Sequence, residues 1–142
     1  MTNKIPKKLE RPGVDRLGRT PLHVAAIEGS FEDASRLVAA GADPNAQDDN
    51  GWTPLHFAAQ SSALQIASLL LASGADVDRR DSNGNSALFR AVFSCTGDGT
   101  LIAMLRAKGA DSVRENNHGV SPVALSRTIA NRDVSQFFSD LP

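Results

Sequence analysis

The chain has little with which to perform covalent chemistry or to cross a membrane. Of 142 residues, one is cysteine, one is tryptophan and none is tyrosine. A single thiol, Cys95, excludes an intrachain disulfide and any zinc site built from several cysteines. Fifteen Lys and Arg against sixteen Asp and Glu leave a formal charge of −1, so no global field draws the chain to nucleic acid or anionic lipid. No apolar run approaches the ~20 residues that span a bilayer. The stretch from Met1 to Gly13 lacks the apolar core of a secretory signal, so a cytoplasmic protein is expected. That stretch carries Lys4, Lys7, Lys8 and Arg11 without an aromatic platform. Residues 1–14 are therefore expected to be an extended or frayed basic tail, with no nucleic acid and no membrane as partner.

What is abundant is small. Twenty residues are alanine, in a chain that is 41% apolar and 22% charged, the balance of a soluble globular protein. Small side chains let backbones approach closely, as stacked short helices require. The chain also repeats itself. Gly18-Arg19-Thr20-Pro21-Leu22-His23 returns 33 residues later as Gly51-Trp52-Thr53-Pro54-Leu55-His56. A third copy, Gly84-Asn85-Ser86-Ala87-Leu88-Phe89, follows after another 33, and a fourth opens at Gly119-Val120-Ser121-Pro122-Val123. Gly41-Ala42-Asp43, Gly74-Ala75-Asp76 and Gly109-Ala110-Asp111 close the copies, the last spacing being 35, so two residues are inserted in copy three. Such a period means stacked supersecondary units that cannot bury their apolar faces alone.

Each unit reads as a helical hairpin. Thr20, Thr53, Ser86 and Ser121 are N-cap residues, and Pro21, Pro54 and Pro122 stand at the first helical position, where a missing N–H costs nothing. The first helix runs from Pro21 to about Ile27 and breaks at Gly29; the second passes through Phe31, Ala34, Leu37 and Val38. In copy two, Leu64, Ala67, Leu70 and Leu71 share one helical face. In copy four the second helix is expected through Asp133, Val134, Phe137 and Phe138. Gly41, Gly74 and Gly109 end the second helices. Residues 48–51 and 81–84 are turn tetrads.

With these residues in view, the chain resembles the ankyrin-repeat family, whose 33-residue period and T-P-L-H-x-A motif match residues 20–25 and 53–58. The resemblance implies an all-α solenoid of four helix-turn-helix units with projecting β-turn fingers. The units are expected near 15–47, 48–80, 81–115 and 116–142, as one domain from 15 to 142. Arg127 and Arg132 would give the last unit a polar outer face. It also implies structural roles for His23 and His56, each ring linking its own Thr cap to the backbone of the next unit.

Candidate chemistry is sparse. Cys95 has no histidine near it in sequence to act as base, so an enzyme using Cys95 is only an alternative, and Cys95 is expected to be a loop thiol. Residues 97–100, Gly-Asp-Gly-Thr, lack the lysine of a phosphate loop and read as a widened turn with Thr100 capping the next helix. Asp43, Asp76 and Asp111 read as loop structure, and His118 as a surface residue. Neither metal nor cofactor is expected.

The resemblance places partner binding on the finger tips and the exposed ends of the first helices, which together line a concave groove. The tips are Arg16, Leu17 and Arg19; Asp49, Asn50 and Trp52; Ser82, Asn83 and Asn85; and Asn117, His118 and Val120. The helix ends are Ile27 and Glu28, Gln60 and Ser61, and Phe93 and Ser94. Trp52 is expected as anchor with Phe93 beside it, and Arg19, Asp49, Arg80 and Asn85 as polar determinants. Trp52→Ala is expected to abolish binding with little effect on melting. Arg90, matching Val24 and Phe57, is either a groove charge or a snorkelling side chain. The implied function is a non-catalytic protein-interaction module, an adaptor or inhibitor that is monomeric when unbound. An immunity-type neutraliser of a bacterial toxin is the alternative that small members of the family suggest.

Overall fold

The computed structural model describes residues 12–129 and 133–142. The expected tail at 1–11 and the capping role of Arg132 fall outside these residues; residues 12–14 form a turn. Regular structure among the described residues is helical. α1 (Pro21–Glu28) and α2 (Phe31–Ala39) form a first hairpin, α3 (Pro54–Gln60) and α4 (Leu64–Ala72) a second, and α5 (Ala87–Ser94) and α6 (Thr100–Ala107) a third. α7 (Pro122–Thr128) is followed by a five-residue 3₁₀ turn, Val134–Phe138.

The N-caps are those expected. The hydroxyls of Thr20, Thr53, Ser86 and Ser121 accept from the backbone N–H three residues on, in every first helix. First helices pack on first helices along the stack, α1 on α3, α3 on α5 and α5 on α7. Between them lie Leu22, Leu55, Leu88 and the alanines Ala25, Ala26, Ala58, Ala59 and Ala91, all buried. Alanine at these positions brings the helices close, and the leucine at the second residue of α1, α3 and α5 fills the space that remains.

The second helices are less regular. α2 packs closely on α4, while the backbones of α4 and α6 stand farther apart. A cleft of about 660 Å³ lies along this side, lined by Phe31, Leu64, Leu69, Ala72, Thr100 and Met104 among others. Leu64, expected on the packing face, is exposed at the start of α4 beside that cleft, and Ile66 is buried instead. The insertion of unit three is responsible for a second departure. Thr100 is the first residue of α6, not its cap: the Asp98 carboxylate accepts from the Thr100 N–H at 2.9 Å and holds its hydroxyl. This bond keeps the Asp98 carboxyl below its ordinary pKa.

The carboxy-terminal segment explains Gly99. A Cβ on Gly99 would meet the Phe137 ring at 2.3 Å, so the absent side chain is the seat of that ring. Counting back 35 residues, the same position holds Leu64 and, 33 before it, Phe31. Arg106 fastens the segment: its guanidinium grips both Asp140 carboxylate oxygens (2.9 and 2.7 Å), donates to the Phe137 carbonyl at 2.8 Å and lies 5.0 Å from the centre of the Phe138 ring. Arg127 donates to the Leu141 and Pro142 carbonyls. In place of the α-helix expected near Asp133 there is thus a short 3₁₀ turn, with Val134 and Phe138 buried and an arginine clamp replacing helical length.

Candidate functional site

The fingers are built from one pattern used four times. Asp15, Asp48, Asp81 and Asn116 each begin a turn in which the side-chain Oδ1 accepts from the backbone N–H groups two and four residues on. The backbone N–H of each also bonds the carbonyl four residues on, at Arg19, Trp52, Asn85 and Val120. Adjacent fingers are then stitched together. Asp49 N–H donates to Leu17 O, Ser82 N–H to Asn50 O and Asn117 N–H to Asn83 O, each at 3.0 Å. The approach is close enough that a Cβ on Gly51 would lie 2.7 Å from Ser82 N, and its φ of 78° already favours glycine.

Histidines tie these fingers to the helices. Thr20 N–H donates to His23 Nδ1 at 3.0 Å, and His23 Nε2 donates to the Trp52 carbonyl at 2.8 Å. Thr53, His56 and the Asn85 carbonyl repeat this arrangement at 3.1 and 2.8 Å. The bonds assign the proton to Nε2, since Nδ1 must accept. Both rings are buried, and burial holds their pKa values below the ordinary histidine value, partly opposed by the carbonyls they donate to. These imidazoles are neutral struts with both nitrogens occupied, as the resemblance implies.

Several expected partner-binding side chains are therefore part of the frame. Asn85 is only 6% exposed; its carbonyl receives His56 and its Oδ1 accepts from Asn116 Nδ2. Arg80 donates to the Gly84 and Glu115 carbonyls, stapling its own finger to the next, as Gln47 does one unit earlier with Gly51 and Arg80. Arg19 is half-buried against Asp15 at 2.7 Å. Each thus makes at least one bond that orders its own finger. Arg16, Asp49, Asn50, Asn83 and Gln60 are exposed, as are Leu17 (47%), Ile27 (38%) and Phe93 (53%).

Trp52 is half-buried. Its ring lies 4.7 Å from Phe57 of its own unit and 5.9 Å from His56, and the Arg90 guanidinium sits 4.3 Å over it from the next unit. A cation–π contact of this kind is worth about 0.5–2 kcal/mol taken by itself, before the cost of burying the guanidinium. Trp52→Ala would leave that charge buried and uncovered, so it is expected to lower the melting temperature rather than leave it unchanged. Arg90 in turn pairs with Asp81 Oδ2 at 3.2 Å, the two side chains being 16% and 0% exposed. Asp81, the partner of Arg90, is not among the residues singled out from the sequence. The signal was available, because Asp81 has the turn role of Asp15 and Asp48 yet is the one of the three that faces a charged first-helix residue.

Cys95 is the loop thiol expected, at the C-cap of α5, and it is buried, its Sγ 3.6 Å from the Asp98 carbonyl. Asp43, Asp76 and Asp111 accept from backbone N–H groups in their own loops, and His118 is exposed. Among the described residues no group of three or more His, Cys, Asp or Glu is gathered as a metal would need, and no helix is long and apolar enough to cross a membrane. What the arrangement offers is a hydrogen-bonded ridge of fingers and first helices bearing unlike side chains.

A comparison with curated proteins found no match. A family model for ankyrin repeats, in three copies, matches residues 22–116, well over half of the chain. The match runs from the first T-P-L-H motif to the turn residue of the last finger and covers all three helical hairpins. The chain belongs to the ankyrin-repeat family, whose repeats are generally protein–protein interaction modules.

Proposed function

We propose that this protein is a non-catalytic binding module that docks a protein partner through the concave side formed by its fingers and first helices, from 15 to 142, in four units. It acts by occupying that partner, as an adaptor or inhibitor; an immunity-type neutraliser would work through the same surface. The observation that carries this reading is the division of labour between positions. Side chains that recur from unit to unit are buried or bonded internally, while Leu17, Ile27 and Phe93 stand exposed at positions that differ between units. Trp52 lies between them, its ring already ordered, so little entropy is lost when a partner covers it. Phe93 and Trp52 are the aromatic anchors and Arg16, Asp49, Asn50, Asn83 and Gln60 the polar rim.

Photo-crosslinking tests the assignment. A photoreactive residue placed at 17, 27 or 93 should capture one discrete protein from native lysate, and the same residue at Ser68 of α4 should not. Capture from position 68 with none from the first three would move the interface to the second helices and refute this reading.

A further inference from the structure

Unit three departs from its neighbours at the centre of the proposed surface. The first-helix position that holds Val24, Phe57 and Leu125 in the other units holds Arg90. There the guanidinium is four-fifths buried, pairs with an Asp81 carboxylate closed to solvent, and leaves its Nε without a hydrogen-bond partner among the described residues. Burying an ion pair rarely stabilises a fold as well as an apolar residue of similar size, and an orphaned N–H adds to the cost. The chain itself contains the alternative: unit four makes the same turn with Asn116, which needs no countercharge, and carries Leu125 opposite it. A local rule broken with such a ready replacement marks a functional position.

The contact that the pair makes is with Trp52. Phe57 supports the ring from its own unit, and Arg90 covers it from the next, held in orientation by Asp81. We infer that Arg90 and Asp81 are positioning residues for partner binding: they hold the Trp52 ring in its docking orientation across the junction of units two and three, at some expense to stability. This rests on the proposed function and assigns the specificity of that surface to a pair that does not recur in the other units. The flat guanidinium matters because it stacks on the indole while donating in its plane to the carboxylate, which an ammonium group cannot do together.

The test is the double variant Arg90→Leu/Asp81→Asn, which gives unit three the pair of unit four, with Arg90→Lys as a milder second variant. Three readouts are taken: thermal melting, acrylamide quenching of Trp52, the protein's one tryptophan, and capture by the photoreactive residue at position 27, which leaves both aromatic anchors in place. The double variant should melt at or above the wild-type temperature, its tryptophan should become more quenchable, and capture should fall by about tenfold or more, the scale of a lost hot spot. Arg90→Lys should fold and lose part of the capture. A large drop in melting temperature, or failure to fold, would make the pair a structural element and overturn the inference. So would a stable double variant that is captured as well as wild type, or a tryptophan whose quenching does not change. If wild type itself gives no capture from 17, 27 or 93, the proposed surface is wrong and the inference falls with it; capture by wild type with unchanged capture by the double variant sinks the inference alone.

Discussion

The two sides of the stack obey different rules. On the side of fingers and first helices, the same backbone bonds recur from Asp15 to Val120, and each finger is stitched to the next. On the side of the second helices, α2 packs closely on α4, the backbones of α4 and α6 stand farther apart, and the last unit has a 3₁₀ turn clamped by Arg106. The difference is one of cause. The first side is set by directional bonds: turns closed within four residues fix each finger, and backbone, histidine and Gln47 or Arg80 bonds one unit ahead fix it to the next. The second side is set by apolar packing, which shifts when two residues are inserted or a side chain shrinks to glycine. A surface meant to hold varied side chains in fixed places is better built on the first.

Burial gives the largest effect that could break this contrast. Leu55 is 1% exposed in α3 and Leu64 is 37% exposed in α4 of the same hairpin. Leu55→Ala should cost about 2–5 kcal/mol in urea denaturation and Leu64→Ala less than about 1 kcal/mol. Equal losses would show that the second helices are packed as tightly as the first.

Glycine substitutions sharpen the comparison at the fingers. Gly51 and Gly41 both have positive φ, 78° and 91°, but only at Gly51 would a Cβ meet the next unit's backbone; at Gly41 it would meet nothing. Gly41→Ala should cost about 1–3 kcal/mol of strain, and Gly51→Ala measurably more, by chemical denaturation. A cost no larger at Gly51 would mean that the fingers are not stitched.

The smallest effect is in pH. Both buried histidines have lowered pKa values in the folded state, so the unfolded chain binds more protons as pH falls past the ordinary histidine value. Their contribution is complete well above the ordinary histidine pKa of about 6.5 and is lost progressively as pH falls below it towards the lowered folded-state values. His23→Gln/His56→Gln should flatten that slope in a pH series of melting temperatures, at a lower overall stability. A slope unchanged by the double substitution would place the titrating groups elsewhere.

The same division decides what could be read from the sequence. The caps, the proline starts and the helix-ending glycines were legible because each rests on a short-range rule tied to residue type, whereas the linking role of His23 and His56, which reaches 29 residues ahead, came only from the family resemblance. Tip residues were legible as positions but not as side chains. Arg80 and Asn85 have the chemistry of a binding rim, and only the path of the neighbouring finger shows that their bonds are already made. Leu64 and the 3₁₀ turn were misread for a related reason: helical periodicity says which residues share a face, not whether a neighbour is there to cover it.

Native-state hydrogen exchange tests the central claim most directly, that the fingers form a bonded, rigid frame although they project into solvent. The amides to follow are those of Asp49, Ser82 and Asn117, each donating across one inter-unit junction. They should exchange only through large-scale opening, as slowly as amides inside α3 and α5 and far more slowly than those of residues 96–98 in the inserted loop. Exchange at the rate of that loop would show that the fingers open on their own, and would contradict the account of a preformed binding ridge.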